Sequence, residues 1–317
     1  MSLPIPSWRL PKKVFISDIT IRDGFQHEEK YVSLNAKVAY AERLILAGVK
    51  RLELTNLGNP QNMPQFKDAH ELLKRVRESR ILNQAGVNWQ EIELTAVTIR
   101  ERAVDSAIKA KEEGYGPDRI LMMVSTDEEH HYANSGTTLP EYWKEAERCI
   151  KKARDAGLKI NGTVSTIWGS PISGPTKLED AVLFTKHWLD IGAHDVEHAD
   201  HDGSSTPDNV YRYFSMLLDA IPDPMKHIAH FHTTRGWDWL GPCLLRRREG
   251  RLLLETAPGV LPAGECLEDV DSRFAESEMY NDPSLFKIYL WNPQKLRNEH
   301  KEDKEEFSPL LEKVRRL

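Results

Sequence analysis

Val14-Phe15-Ile16-Ser17-Asp18-Ile19-Thr20-Ile21-Arg22-Asp23-Gly24-Phe25-Gln26 sets a short apolar run directly ahead of a polar loop. Such a strand and loop open either a doubly wound sheet or a closed barrel of parallel strands. An open sheet of that kind often carries glycines in this loop, as G-x-G-x-x-G, to cradle a phosphate. Arg22-Asp23-Gly24-Phe25-Gln26 has no such pattern. The loop points to a barrel.

The rest of the chain is consistent with that reading. Ser33 is placed to cap a helix that carries Val38, Ala41 and Ile45 on one face and stops at Gly48. Apolar runs at 49–54, 92–97, 119–124, 159–164, 193–197 and 226–231 read as strands. Amphipathic stretches at 68–76, 102–113, 139–156 and 178–189 read as helices, and Pro207 suits the first turn of another because its missing N–H costs nothing there. Short links between alternating strands and helices imply right-handed crossovers and a parallel sheet. The expectation is an α/β protein, a (β/α)8 TIM barrel over residues 1–290, with a charged C-terminal tail at 291–317. The last βα unit reads as diverged or imperfect. A helix at 240–249 and a strand at 252–256 fit it, but Arg246-Arg-Arg-Glu-Gly-Arg251 and the proline- and acid-rich stretch to Ala275 are unlike the earlier units. His300-Lys-Glu-Asp-Lys-Glu-Glu306 is a charge run expected to be solvated.

Composition narrows the function classes. With 317 residues the chain can bury a large core, and 40% hydrophobic with 29% charged residues is ordinary for a soluble domain. A net charge of −6 argues against nucleic-acid or membrane-surface partners, which favour a basic face. No apolar run is long enough to span a bilayer, and the N-terminus lacks a signal-peptide core. Cys149, Cys243 and Cys266 are odd in number and far apart, so no disulfide framework is expected. The chain reads as cytoplasmic.

A barrel gathers the C-terminal ends of its strands at one mouth, so polar residues there are the informative ones. They are Asp18, Arg22, Asp23 and Gln26 after the first strand, Glu53 and Asn56 on the second, Ser165 on the fifth, Asp200 after the sixth, and His230 and His232 on the seventh. Alternate strand residues share a face, so both imidazoles of His230-Phe-His232 can point inward. Two imidazoles and a carboxylate suit a divalent metal with open positions for substrate. Taken singly, the same residues also read as loop-capping aspartates, a Glu53 paired with Arg51 or Arg22, and a satisfied histidine pair. His130-His131, His194, His198 and His201 are expected at the surface.

Asp18 to Gln26 resembles the D-x-T-x-R-D-G-x-Q signature of the metal-dependent barrels of the hydroxymethylglutaryl-CoA lyase and pyruvate carboxyltransferase-like family, to which isopropylmalate synthases are related. The resemblance extends from about residue 14 to 237. Gln26-His-Glu-Glu-Lys30, Leu52 to Pro60, Val164 to Pro171, Asp200 to Pro207 and His230-Phe-His-Thr-Thr-Arg-Gly236 resemble the lyases more than the condensing enzymes. The resemblance implies that Asp23, His230 and His232 hold Mg²⁺ or Mn²⁺. It implies catalytic roles for Arg22 on an enolate and for Glu53 and Asp200 in orienting groups or moving a proton, with Gln26 and Ser165 lining the substrate pocket. The implied reaction is retro-Claisen cleavage of a 3-hydroxy-3-methylglutaryl-CoA-like thioester to acetyl-CoA and a β-keto acid. A Claisen-type acyltransferase or pyruvate carboxyltransferase, acting on an acyl-CoA or 2-oxo acid, is the alternative, and a barrel impaired in catalysis is a third. A homodimer is a candidate assembly.

The resemblance fades after His232. The family's G-x-G-G-C-P loop has its nearest equivalent in Ala257-Pro-Gly259-Val-Leu-Pro-Ala-Gly264-Glu-Cys266, which makes Cys266 the candidate proton-handling residue. No asparagine lies between Cys266 and Asn281 to complete the metal shell. Trp237-Asp-Trp-Leu240 stands where Gly-Trp-Gly-Leu-Ala is expected, so the segment 238–281 reads as a frame-shifted stretch or a diverged subfamily.

Overall fold

The computed structural model describes residues 15–26, 28, 30–201, 203 and 205–232, together with the backbone of 253–256. Eight parallel strands close into a barrel in sequence order. They are β1 (Phe15–Asp18), β2 (Arg51–Asn56), β3 (Glu93–Val97), β4 (Arg119–Ser125), β5 (Lys159–Ser165), β6 (Asp195–Ala199), β7 (His227–Phe231) and β8 (Leu253–Thr256). The strand expected at 252–256 is present and closes the ring. Its Thr256 lies opposite Phe231 on one side and Asp18 on the other, bringing the two sequence motifs to neighbouring places on the rim. The helix expected at 240–249, the remainder of the altered segment 238–281 outside β8, Cys243, Cys266 and the tail 291–317 lie outside the described residues.

Eight α-helices are found among the described residues: α1 (Leu34–Leu46), α2 (Ala69–Arg77), α3 (Arg80–Gln84), α4 (Glu101–Glu112), α5 (Glu128–Ser135), α6 (Leu139–Asp155), α7 (Leu178–Asp190) and α8 (Pro207–Ala220). Their ends follow local chemistry. The Ser33 hydroxyl accepts from Ala36 N at the start of α1, and Gly48 takes the left-handed turn after it at φ +98°. Thr138 and Glu141 form a capping box on α6, whose Tyr142, Ala146, Cys149, Ile150 and Ala153 are buried at helical spacing. Burial pushes the Cys149 thiol up to about 12, which makes it an inert packing group. Gly162 is required by close approach, because a Cβ there would meet the Trp188 ring at 2.5 Å. None of the described helices is long and apolar enough to cross a membrane.

The floor of the barrel is charged. Arg119 Nε donates to Glu93 at 2.7 Å and its NH1 to Asp195 at 2.6 Å; Arg51 and Lys159 also bind Glu93, and Asn161 donates to Asp195. Except for Asn161, these residues begin their strands, so the plug sits at the end opposite the rim formed by the strands' C-terminal ends. Burial alone would raise the Glu93 carboxyl, but Arg119 and Arg51 outweigh it and hold Glu93 down to about 2.

The histidines correct one expectation. His130, His131 and His198 are buried, while His194 and His201 are half-buried. Helix α5, which was not anticipated, turns His130 and His131 inward after Asp127 caps its first turn. His198 bonds to the Tyr213 hydroxyl at 2.9 Å and to His227 at 3.2 Å, a network sealed between β6, β7 and α8. Burial lowers His198 and His227, and burial with the neighbouring His130 and Arg100 lowers His131 to about 4. Unfolded histidines bind protons near 6.5 while these do not, so stability is full above that pH and falls as the pH drops toward the folded values. For His131 alone the loss at pH 5 is about 2 kcal/mol. The urea midpoint is therefore expected to be clearly lower at pH 5 than at pH 7.5. Replacing His131 by Gln should remove part of that pH dependence, and an unchanged pH dependence in His131→Gln would show that this imidazole is not held neutral.

Candidate metal centre

The site begins with an unusual turn. Immediately after β1, Thr20–Gly24 form a π-helical turn in which Asp23 N and Gly24 N both donate to Ile19 O. Asp18 closes this turn by accepting from Thr20 N at 2.9 Å and the Thr20 hydroxyl at 3.2 Å. Asp18 is therefore the loop-capping aspartate; burial pushes its carboxyl up to about 6 in spite of those bonds. Asp23 is not a cap. Its side chain is buried at the barrel mouth beside Arg22.

Asp23, His230 and His232 each offer a ligand atom, and these atoms lie within 4.8 Å of one another. His232 Nε2 is 3.0 Å from Asp23 Oδ2, and His230 Nε2 is 3.9 Å from the same oxygen. Two ligands at right angles, each about 2.1 Å from an octahedral cation, stand roughly 3.0 Å apart. The nearer pair already has that spacing. Both imidazoles are aimed by their other nitrogen: His232 Nδ1 donates to the Asp200 carbonyl at 2.5 Å, and His230 Nδ1 to Glu197 Oε1 at 2.8 Å. That leaves each Nε2 as the atom facing Asp23.

Charge favours a cation as well. Arg22 Nε donates to Glu53 and its NH1 to Asp23 Oδ1 at 2.7 Å, and Glu197 also acts on the guanidinium. Among these groups one guanidinium faces three buried carboxylates, so with both imidazoles neutral, as metal ligands must be, the pocket carries net negative charge. Burial works against an ionised Asp23, but Arg22 and the two imidazoles hold it far below the usual carboxylate range. Burial likewise opposes a charged His232, yet Asp23 raises it above the ordinary histidine value. The geometry, donor types and charge of these residues fit a divalent metal.

The other predicted residues are spread around the rim. The Glu53 carboxylate is tied to Arg22, which is one of the pairings open from sequence. Asp200 touches the centre through its backbone carbonyl, while its carboxylate accepts from the Ser205 hydroxyl at 2.5 Å and from Ser205 N at 3.4 Å. Ser165 lies on the far wall, 3.0 Å from the Ser125 hydroxyl, which in turn meets His130 Nδ1 at 2.7 Å. The next residue, Thr166, holds a left-handed φ of 57° and is secured by Thr126, a strained position for a β-branched residue. Gln26 is half-buried just past the π-helical turn, and Cys266 lies outside the described residues. Sequence reading missed Glu197. It alternates with Asp195 and Ala199 on the inner face of β6, next to the strand that carries both histidines, and that alternation was the available signal.

Comparisons with known proteins agree with this picture. Residues 13–238 match the HMGL-like family model. The chain is 28% identical over 222 residues to an (R)-citramalyl-CoA lyase of Chloroflexus aurantiacus, covering 70% of this chain and 68% of that one. It is 24% identical over 227 residues to a hydroxymethylglutaryl-CoA lyase of Bacillus subtilis, covering 71% and 70%. For the mitochondrial hydroxymethylglutaryl-CoA lyase of Arabidopsis thaliana the identity is 26%, and the match spans 45% of that protein. Among solved structures, the Bacillus subtilis HMG-CoA lyase superposes with TM-score 0.73 at 19% identity, covering 87% of this chain and 95% of that one. An Acinetobacter baumannii HMG-CoA lyase in complex with coenzyme A and 3-methylmalate gives 0.71 at 19%, covering 96% and 98%. At these identities the structures establish a shared fold.

Proposed function

Because the chain belongs to the HMGL-like family, we propose that it is a carbon–carbon lyase that cleaves a 3-hydroxyacyl-CoA thioester of the 3-hydroxy-3-methylglutaryl-CoA kind to acetyl-CoA and a β-keto acid. The observation that carries this reading is the buried Asp23, His230 and His232 donor set with Arg22 against it. Asp23, His230 and His232 would hold a Mg²⁺ or Mn²⁺, which when bound would supply Lewis acidity toward the substrate oxygens and a more acidic tertiary hydroxyl. Asp200 accepts the hydroxyl proton. The C3–O bond becomes a carbonyl as the C2–C3 bond breaks, and its electron pair moves to C2 of the departing thioester enolate. Arg22, pinned by Glu53 and Asp23, is a fixed guanidinium that stabilises the enolate oxygen. Protonation at C2 then gives acetyl-CoA, and Cys266 is the residue the resemblance implies for that proton. Gln26 and Ser165 line the substrate pocket. The coenzyme A and 3-methylmalate in the Acinetobacter relative support an acyl-CoA ligand for this barrel type.

The test is acetyl-CoA release from 3-hydroxy-3-methylglutaryl-CoA by the purified protein with Mg²⁺ or Mn²⁺. Acetyl-CoA formation is expected only with added cation. Consumption of acetyl-CoA with a 2-oxo acid, and no cleavage, would instead identify a condensing enzyme. Cation binding without either reaction would identify an impaired barrel.

A further inference from the structure

Building on the metal-centre reading above, we propose that Glu197 is a positioning residue that sets the strength and selectivity of the cation site through His230. Glu197 is 1% exposed and stands on the inner face of β6. Burying a carboxylate is costly, so its retention inside the barrel calls for a strong compensating contact. Its Oε1 accepts the Nδ1–H of His230 at 2.8 Å. That bond fixes the tautomer and directs the Nε2 lone pair toward Asp23.

The two imidazoles are supported unequally. His232 leans on a neutral backbone carbonyl, that of Asp200, whereas His230 leans on a full carboxylate. An imidazole that donates to a carboxylate is the more basic ligand through its other nitrogen. Ions that accept nitrogen donors gain more from this than hard, oxygen-preferring Mg²⁺ does. Glu197 therefore tilts the centre toward Mn²⁺ over Mg²⁺. A carboxylate that merely filled the core would affect folding without altering that ratio.

The experiment titrates metal-free protein with Mn²⁺ alone and with Mg²⁺ alone by calorimetry, comparing wild type with Glu197→Gln. The expected result is Mn²⁺ affinity lowered by about 10–100-fold, with Mg²⁺ affinity lowered less and the metal-free melting temperature little changed. Glu197→Asp keeps the charge but shortens the reach, and the same loss of Mn²⁺ preference is expected from it, which covers a poorly folding glutamine variant. Wild-type affinities in both variants overturn the assignment. So does an equal loss for both ions accompanied by a lower melting temperature, which marks a structural role. If wild type binds neither cation, the metal reading itself fails and the role of Glu197 falls with it.

Discussion

Arg22→Gln lowers kcat for thioester cleavage by about 10²–10³-fold with a much smaller change in KM, the scale seen when one fixed donor to a developing oxyanion is removed. Glutamine retains a hydrogen-bond donor, at shorter reach, but no charge. The enolate oxygen carries its full charge only as the carbon–carbon bond breaks, so the loss falls on kcat. Arg22 also stands between Asp23 and Glu53, and its removal leaves two buried carboxylates facing each other. Some loss of stability is therefore expected, and activity should be measured well below the melting temperature. Arg22→Lys separates the two effects. It restores positive charge but cannot hold both carboxylates with a planar fork, so it should recover stability more fully than turnover. If Arg22→Gln turns over within threefold of wild type, the guanidinium is not the enolate's partner.

Asp23→Asn weakens Mn²⁺ and Mg²⁺ binding by more than about 100-fold, beyond what the loss of an outer partner costs. Asp23 is the anionic member of the three-residue donor group, and its Oδ2 is the atom both imidazoles approach. Asparagine keeps the volume and one oxygen but removes the charge that attracts a dication into a buried pocket. The melting temperature of the metal-free variant should stay close to wild type, because Arg22 keeps Glu53 as a partner. Calorimetric titration checks this directly, and near-normal affinity in Asp23→Asn would place the cation elsewhere. Activity should vanish in parallel and return only partly at high metal concentration.

Much of the fold was legible because each early unit carries its own local signals. Ser33 with Gly48 and Pro207 at the start of α8 mark boundaries by chemistry that acts within one turn. That Asp23, His230 and His232 meet at one rim was legible because strand ends converge in a barrel and the intervening units could be counted. Helix α5 was not, since Glu128-Glu-His-His-Tyr-Ala-Asn-Ser135 has no apolar stripe and holds its place through the Asp127 cap and the inward histidines. The Asp200 carboxylate keeps its proposed part in moving a proton, but its backbone carbonyl, invisible to a residue-type argument, also aims His232. Glu197 and the charged floor lay hidden for a related reason. Buried ions in a barrel depend on partners carried by other strands, and strand periodicity shows the face they occupy without naming those partners.

Strand β8 is short, yet it is bonded to both β7 and β1. Asp23 and His232 are separated by 209 positions in the chain and meet across that seam. A chain emerging from the ribosome, or one refolding with every helix formed and the ring still open, therefore has no coordination site. Mn²⁺ uptake becomes a gauge of ring closure, and it should lag the far-ultraviolet circular dichroism signal during refolding, as late, non-local contacts do. Linkage runs the other way too, because a ligand that binds only the closed ring stabilises it in proportion to its concentration over Kd. A cation held between the ends of the first and seventh strands would be a clasp on the barrel as well as a reagent within it.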